Sequence, residues 1–266
     1  MIADGFIDIL PKGIAEMPIS IPHVILYRVH KRRDEALPEH AHGQAQLTFA
    51  ISGMVQLRTE DGIWLLPPQL AAWIPPDIPH RLDIMTNAEL WILLWDPATV
   101  RAWQPETLPS QAFISRVSPL LRSLLEAVAA MDALSERREL ALRLILHELQ
   151  RVEDAPTFLP MPTSQVGLRV AELALADHRN ALDLDTLASQ AATSVRTASR
   201  RFPEETGMTL KAWRQRARIL WTLTELGRGK PIARAARDAG FASTAAFSHA
   251  FRQVMALTPS EFLSLP

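Results

Sequence analysis

The sequence predicts an α+β chain in two parts. A small barrel or sandwich of short strands, with helices after it, precedes an all-helical half that holds two helix-turn-helix units. Three observations carry this expectation. Apolar or alternating runs of four to six residues recur between about residues 20 and 100, split by Ser52-Gly53, Asp61-Gly62, Pro67-Pro68 and Pro75-Pro76-Asp77. From Ser115 onward the apolar period turns helical. In the last hundred residues a small-residue helix, a turn and a serine able to cap a second helix occur twice. The serines are Ser194 and Ser243, and each is followed eight residues later by a phenylalanine, Phe202 and Phe251.

Taken in order, the first residues (Met1-Ile2-Ala3-Asp4-Gly5-Phe6-Ile7-Asp8) are acidic and lack the basic start and apolar run of a signal peptide. No apolar run approaches bilayer length, so a cytoplasmic protein with no membrane partner is expected. Strands are expected at His23–Arg28, Gln46–Ile51, Met54–Thr59, Ile63–Leu66, Leu70–Ile74 and Leu90–Trp95. Between Ser115 and Asp154, Leu120, Leu121, Leu124, Leu125 and Val128 form one helical stripe. Leu140, Leu144, Ile145, Leu149 and Val152 form another. These helices either cover the barrel or pair with a second subunit. The run Ala155-Pro156-Thr157-Phe158-Leu159-Pro160-Met161-Pro162 holds three prolines in eight residues and reads as a stiff linker. The division expected is a barrel over 1–110, a helical cover or dimerisation segment over 111–155, a linker over 156–162 and a helical domain over 163–266.

Charge follows the same division. From Thr163 onward the chain holds 14 Lys+Arg against 9 Asp+Glu; before it, 14 against 20. The basic half is the one suited to a polyanion. With no cysteine in the chain, disulfides, thiolate metal sites and cysteine nucleophiles are excluded.

In the first helical unit Asp183 can cap a helix from Leu184, with Leu182 and Leu187 as a hydrophobic staple. Ser194 caps the next helix. Its Val195, Ala198 and Phe202 face inward, which leaves Arg196, Thr197, Ser199, Arg200 and Arg201 outward. An arginine can bridge guanine O6 and N7 or bind phosphate. In the second unit Pro231 suits a helix start, Gly240 a helix end and Ser243 the following cap. Phe247 and Phe251 point inward; Thr244, Ala245, Ser248, His249 and Arg252 point outward. Between the units, Leu210–Leu226 should form a longer helix that buries Trp213, Ala217, Leu220 and Trp221. Its Arg214, Arg216 and Arg218 are expected to reach solvent or DNA backbone. Held rigidly, two such second helices could enter successive major grooves about 34 Å apart.

These hundred residues resemble the DNA-binding domain of the AraC/XylS transcription regulators. The match runs through Leu187-Ala188, Ser194, Arg200, Phe202, Thr206-Gly207, Arg218, Ala236, Gly240-Phe241, Phe247, Phe251-Arg252 and Thr258-Pro259-Ser260-Glu261-Phe262. The resemblance implies base contacts from Arg196, Ser199 and Arg200, and from Thr244, Ala245, Ser248 and His249, with Arg201 and Arg252 on phosphate. The chain departs from the pattern at three places. Ala192 and Ala256 stand where the family has glycine, which would cost roughly 1 kcal/mol at each positive φ. Pro203 follows Phe202 directly, where the family helix continues, so that helix is expected to end early or bend.

In the first half His40, His42, Gln44, Gln46 and Thr48 recur at every second position, so an extended chain would place all five on one strand face. A buried polar stripe must be internally hydrogen-bonded, bind something or line a wet cavity. The arrangement resembles a cupin: His40-x-His42, Gln46 and Gly53 fit the family's first motif, with Gln46 in the usual glutamate position. Pro75-Pro76-Asp77-Ile78-Pro79-His80 fits the second, with Asp77 in place of glycine. An effector pocket of His40, His42, Gln44, Gln46 and His80 follows. Within it His40, His42, Gln46 and His80 could hold a divalent transition metal as effector or cofactor; the alternative occupant is an organic effector. Trp64, Trp73, Trp91 and Trp95 would either wall such a pocket or fill ordinary core. Together the two resemblances imply a ligand-responsive, homodimeric transcription regulator that binds double-stranded operator DNA, contacts RNA polymerase and is not an enzyme. The rival expectation is a metal-dependent cupin enzyme with a DNA-binding tether.

Overall fold

A computed structural model describes residues 19–21, 24–103, 108–131, 135–152 and 155–264. The chain divides into two compact units, one of residues 1–59 with 66–155 and the other of residues 60–65 with 156–266. His23, at the start of one expected strand, lies outside the described residues.

The first unit holds two antiparallel sheets. One runs in the order β1 (Ile19–Ile21), β2 (Val24–Lys31), β9 (Ala88–Trp95), β4 (Ala45–Ser52), β7 (Leu70–Ile74) and β10 (Phe113–Arg116). In the other, β8 (His80–Ile84) lies between β5 (Val55–Thr59) and β3 (Ala36–His40), which is the edge strand. All the expected strands are present in the chain, with ends shifted by a few residues. β3 and β8 were not expected, and they carry His40 and His80.

Strand alternation explains why β4 is buried on both faces. Leu47 and Phe49 join Trp73, Trp91, Leu93 and Trp95 in one apolar core against α2 (Pro119–Ala130) and α3 (Glu136–Glu148). The opposite face carries Gln46 and Thr48, which are equally buried. A short helix, α1 (Pro97–Trp103), follows β9. Helices α2 and α3 cover the six-stranded sheet through Leu121, Leu125, Val128, Leu142, Ile145 and Leu146. Leu120, Leu140 and Leu144, from the same apolar stripes, remain exposed.

The second unit contains α4 (Gln165–Ala176), α5 (Leu184–Gln190), α6 (Val195–Thr206), α7 (Leu210–Gly227), α8 (Ile232–Asp238), α9 (Thr244–Met255) and α10 (Pro259–Leu263). Side-chain oxygens of Ser164, Asp183, Ser194, Thr209, Ser243 and Thr258 accept backbone N–H groups at six of the seven helix starts. The proline-bearing segment expected as a linker holds a strand, β11 (Phe158–Pro160). It pairs antiparallel with β6 (Gly62–Leu66) at Phe158↔Trp64, Leu159↔Ile63 and Pro160↔Gly62. A Cβ on Gly62 would lie 2.5 Å from the Phe158 ring and 2.6 Å from the Leu159 carbonyl oxygen, so only glycine admits this approach. The Trp213 indole N–H donates to the Pro160 carbonyl at 2.7 Å and fastens β11 to α7.

The two helix-turn-helix units close their first helices alike. Thr193 N–H donates to Ala188 O at 2.9 Å, and Phe241 N–H to Ala236 O at 3.0 Å. The residue before each closure is left-handed, Ala192 at φ 53° and Gly240 at φ 74°, and Ala256 (φ 58°) stands at the end of α9 as Gly207 (φ 70°) does at the end of α6. Ala192 and Ala256 therefore occupy positions whose backbone favours glycine. Gly240 is bound by more than conformation, because a Cβ there would lie 2.2 Å from Arg179 O.

Two expectations are corrected. Helix α6 does not end at Pro203 but runs on to Thr206, closed by Gly207 N–H donating to Pro203 O at 2.9 Å. Proline forfeits a bond to Ser199 O, and tertiary anchors on both sides offset it. Phe202 is fully buried, and Glu205 accepts from the N–H groups of Thr163 and Ser164 at 3.1 and 3.0 Å. Nor do Arg214, Arg216 and Arg218 reach freely into solvent. Arg214 donates to Asp177 and Leu182 O, Arg216 to Phe158 O and Arg218 to Ala239 O. Each guanidinium is thus tied down by hydrogen bonds to carbonyl or carboxylate oxygens within the helical unit.

Ala192→Gly and Ala256→Gly should each stabilise the protein by about 1 kcal/mol, additively because the sites are independent. Gly240→Ala should destabilise it by more than that amount. Urea unfolding of the three variants checks both signs.

Candidate DNA interface and effector pocket

Of the residues expected on the reading faces, Arg196, Ser199, Arg200 and Arg201 of α6 are exposed, as are Thr244, Ala245, His249 and Arg252 of α9. Ser248 is half-buried. Arg200 lies within 3.8 Å of Glu204 one turn on, a weak exposed pair that leaves its guanidinium free to exchange partners. The opposite faces are anchored. Ala198 and Phe202 are buried, with Phe202 edge-on to Trp213 at 5.4 Å, and Phe247, Phe251 and Phe262 form an edge-to-face series. Each second helix thus has one face fixed by aromatic packing and one face given to solvent.

The two units are joined through α7. Arg218 is held by Ala239 O at 3.1 and 2.8 Å and lies 4.0 Å over the Phe241 ring, inside the second unit's turn. Burial lowers its pKa, Arg214 adds to that effect and Asp177 opposes it. Arg214 reaches the opposite way, donating at 2.9 Å to Asp177 and 2.8 Å to Leu182 O just before α5.

In the first unit His40, His42 and His80 bring ring nitrogens to within 4.8 Å of one another. The five-residue stripe is not one strand. His40 ends β3, His42 and Gln44 lie in the connection, and Gln46 and Thr48 belong to β4. Asp77 explains part of that bend: left-handed at φ 64°, in the place where the cupin pattern has glycine, it donates its N–H to His42 O at 2.9 Å. Each Nδ1 faces a backbone carbonyl: Pro38 O from His40 at 2.7 Å, Gln44 O from His42 at 3.0 Å and Ile78 O from His80 at 2.8 Å. Such bonds fix the orientation of each ring.

His42 Nε2 lies 2.9 Å from Gln46 Oε1, and Gln46 donates onward to Thr48 Oγ1 at 2.8 Å. Thr48, expected in the polar stripe but not in the effector pocket, is thus a member of the group. Gln44 enters through its backbone carbonyl, while its own side-chain oxygen is buried with no hydrogen bond. Burial pushes His80 down to about 4, against the raising effect of its bond to Ile78 O, with His40 and His42 lowering it further. Burial lowers His40 as well. His80 Nε2 is buried without a hydrogen-bond partner. A neutral imidazole with an unpartnered Nε2, beside two more histidines and an amide oxygen, is a donor set that fits a divalent transition metal.

Comparison with known proteins finds two matched domains. Residues 21–149 match the AraC-like ligand binding domain, and residues 187–264 match a helix-turn-helix domain. The HTH-type transcriptional regulator NimR of Escherichia coli (strain K12) is 28% identical over 244 residues, covering 90% of this chain and 87% of that protein. Among solved structures, ToxT from Vibrio cholerae aligns at 12% identity and TM-score 0.39, over 91% of this chain and 98% of that one. An RmlC-like cupin from Shewanella frigidimarina NCIMB 400 aligns at 16% identity and TM-score 0.27, over 28% of this chain and 67% of that one. No described helix is long and apolar enough to cross a membrane. The matched domains and the related regulator set aside the rival expectation of a metal-dependent enzyme. With a ligand-binding barrel before a helix-turn-helix domain, this chain belongs to the AraC/XylS family of transcription regulators.

Proposed function

We propose that the chain is a ligand-responsive regulator that reads two adjacent major grooves of operator DNA with α6 and α9. The observation that carries this is the pair of capped helices on either side of α7, each with one packed face and one exposed face of Arg, Ser, Thr or His. Arg196, Ser199 and Arg200 read one segment; Thr244, Ala245, Ser248 and His249 read the other; Arg201 and Arg252 hold phosphate. Exposed Leu120, Leu140 and Leu144 form the face through which two copies pair as a homodimer, and RNA polymerase is the partner that receives the signal.

The effector site is the barrel group of His40, His42, Gln44, Gln46 and His80. His40, His42, Gln46 and His80 would hold a divalent metal, which when bound supplies a fixed charge joining β3, β8 and β4. The same buried polar atoms can serve a small organic effector through hydrogen bonds.

Two measurements test this. On an operator obtained by selection from random duplexes, Arg200→Ala should weaken binding by about 1–3 kcal/mol and relax preference at one base pair. Equal loss on all sequences would move Arg200 to the phosphate contacts. Elemental analysis of the full-length protein should find near-stoichiometric metal that His40→Ala and His80→Ala each abolish. Metal-free protein after soaking would assign the pocket to an organic effector.

A further inference from the structure

A groove of about 530 Å³ lies in the second unit between α5, α6 and α7, and none of its lining residues is acidic. Lys211, Arg214 and Arg218 line it from successive turns of one face of α7; Ser199 lines it from α6. Gln215, on the same stretch, donates to Gln253 of α9 at 3.3 Å. The groove therefore begins at one proposed reading helix and is linked to the other.

Its charge is only partly neutralised. Arg214 is paired with Asp177, but the partners of Arg218 are a neutral carbonyl and an aromatic ring. Lys211 is exposed at the mouth. Both arginines are pinned by hydrogen bonds, so their field is fixed in place, whereas Lys211 and Gln215 keep enough exposure to meet a ligand. Fixed cations, hydroxyls and an amide without carboxylates match a phosphodiester backbone, which takes positioning contacts of this kind.

We infer that this groove seats the sugar-phosphate backbone between the two major-groove segments, with Lys211 and Gln215 as its contacts and Ser199 at its edge. The inference rests on the two-groove reading and adds a third, sequence-independent contact between the two reading helices. It makes α7 part of the DNA-facing surface as well as a spacer. A small anion that fits the same groove would compete with DNA.

The test uses full-length protein and two 40-base-pair duplexes, one selected and one scrambled, in fluorescence anisotropy titrations across a salt series. Lys211→Ala should weaken binding several-fold on both duplexes and flatten the salt dependence by about 0.9 in log–log slope, one phosphate contact. Gln215→Lys, which removes no packing, should tighten binding and steepen the slope by about the same amount. Arg169→Ala, which removes an exposed arginine of α4, controls for net charge. The inference is overturned if Lys211→Ala and Gln215→Lys leave affinity and slope unchanged, or if Arg169→Ala matches Lys211→Ala. If Arg200→Ala is silent as well, the reading by α6 fails with it; if Arg200→Ala still weakens binding, only the groove assignment falls.

Discussion

Two guanidinium groups one turn apart on α7 tie the DNA-binding unit together. Arg214 donates to Leu182 O beside the first helix-turn-helix unit, and Arg218 to Ala239 O inside the second. Each bond satisfies a carbonyl outside the regular helices, and each is charge-assisted. Because both donors leave one rigid helix, the separation of α6 and α9 follows from the backbone of α7 rather than from flexible turns. The aromatic series behind α9 and the Phe202–Trp213 contact behind α6 then fix the rotation of each reading helix.

The barrel depends on backbone bonds in a similar way. Three histidines each commit Nδ1 to a carbonyl two residues away. This removes ring rotation as a variable and gathers the remaining nitrogens, with Gln46 and Thr48 continuing the polar group along β4. Preorganisation of this kind lowers the ordering a ligand must impose on arrival. The sheet on the other side of β4 is filled by tryptophan, leucine and phenylalanine against α2 and α3, so the polar group sits on a stiff wall.

Much of this was legible in the sequence because it is local. Caps at Asp183, Ser194 and Ser243 and buried Phe202, Phe247 and Phe251 follow from spacing and short-range sterics, whereas the glycine-favouring positions held by Ala192 and Ala256 followed from the family resemblance. What was missed depends on partners distant in sequence. β3 contains Pro38 and reads poorly as a strand, yet an edge strand tolerates proline. The stripe from His40 to Thr48 has the period of one strand, but the left-handed Asp77 and its bond to His42 O accompany a turn that no alternation reveals. Pro203 looks helix-breaking until Glu205 is seen bonding the start of α4. The arginines of α7 look solvated until their carbonyl acceptors, 21 to 58 residues away, come into view.

The pairing of β6 with β11 bears on how such a chain can be divided or recombined. Residues 60–65 lie in sequence between strands of the first unit but are counted with the second. Trp64 stacks on Phe158 at 4.5 Å, and Leu65 N–H donates to Thr157 O. A fragment beginning at Thr163 would strip Trp213 of its acceptor at Pro160. One beginning at Pro156 would keep that acceptor but leave β11 without its neighbouring strand. Replacing the sensor by another at any single cut point carries the same loss. Residues 62–65 and 157–160 are joined by hydrogen bonds inside the second unit, so exchange of sensors in such a chain requires two junctions rather than one.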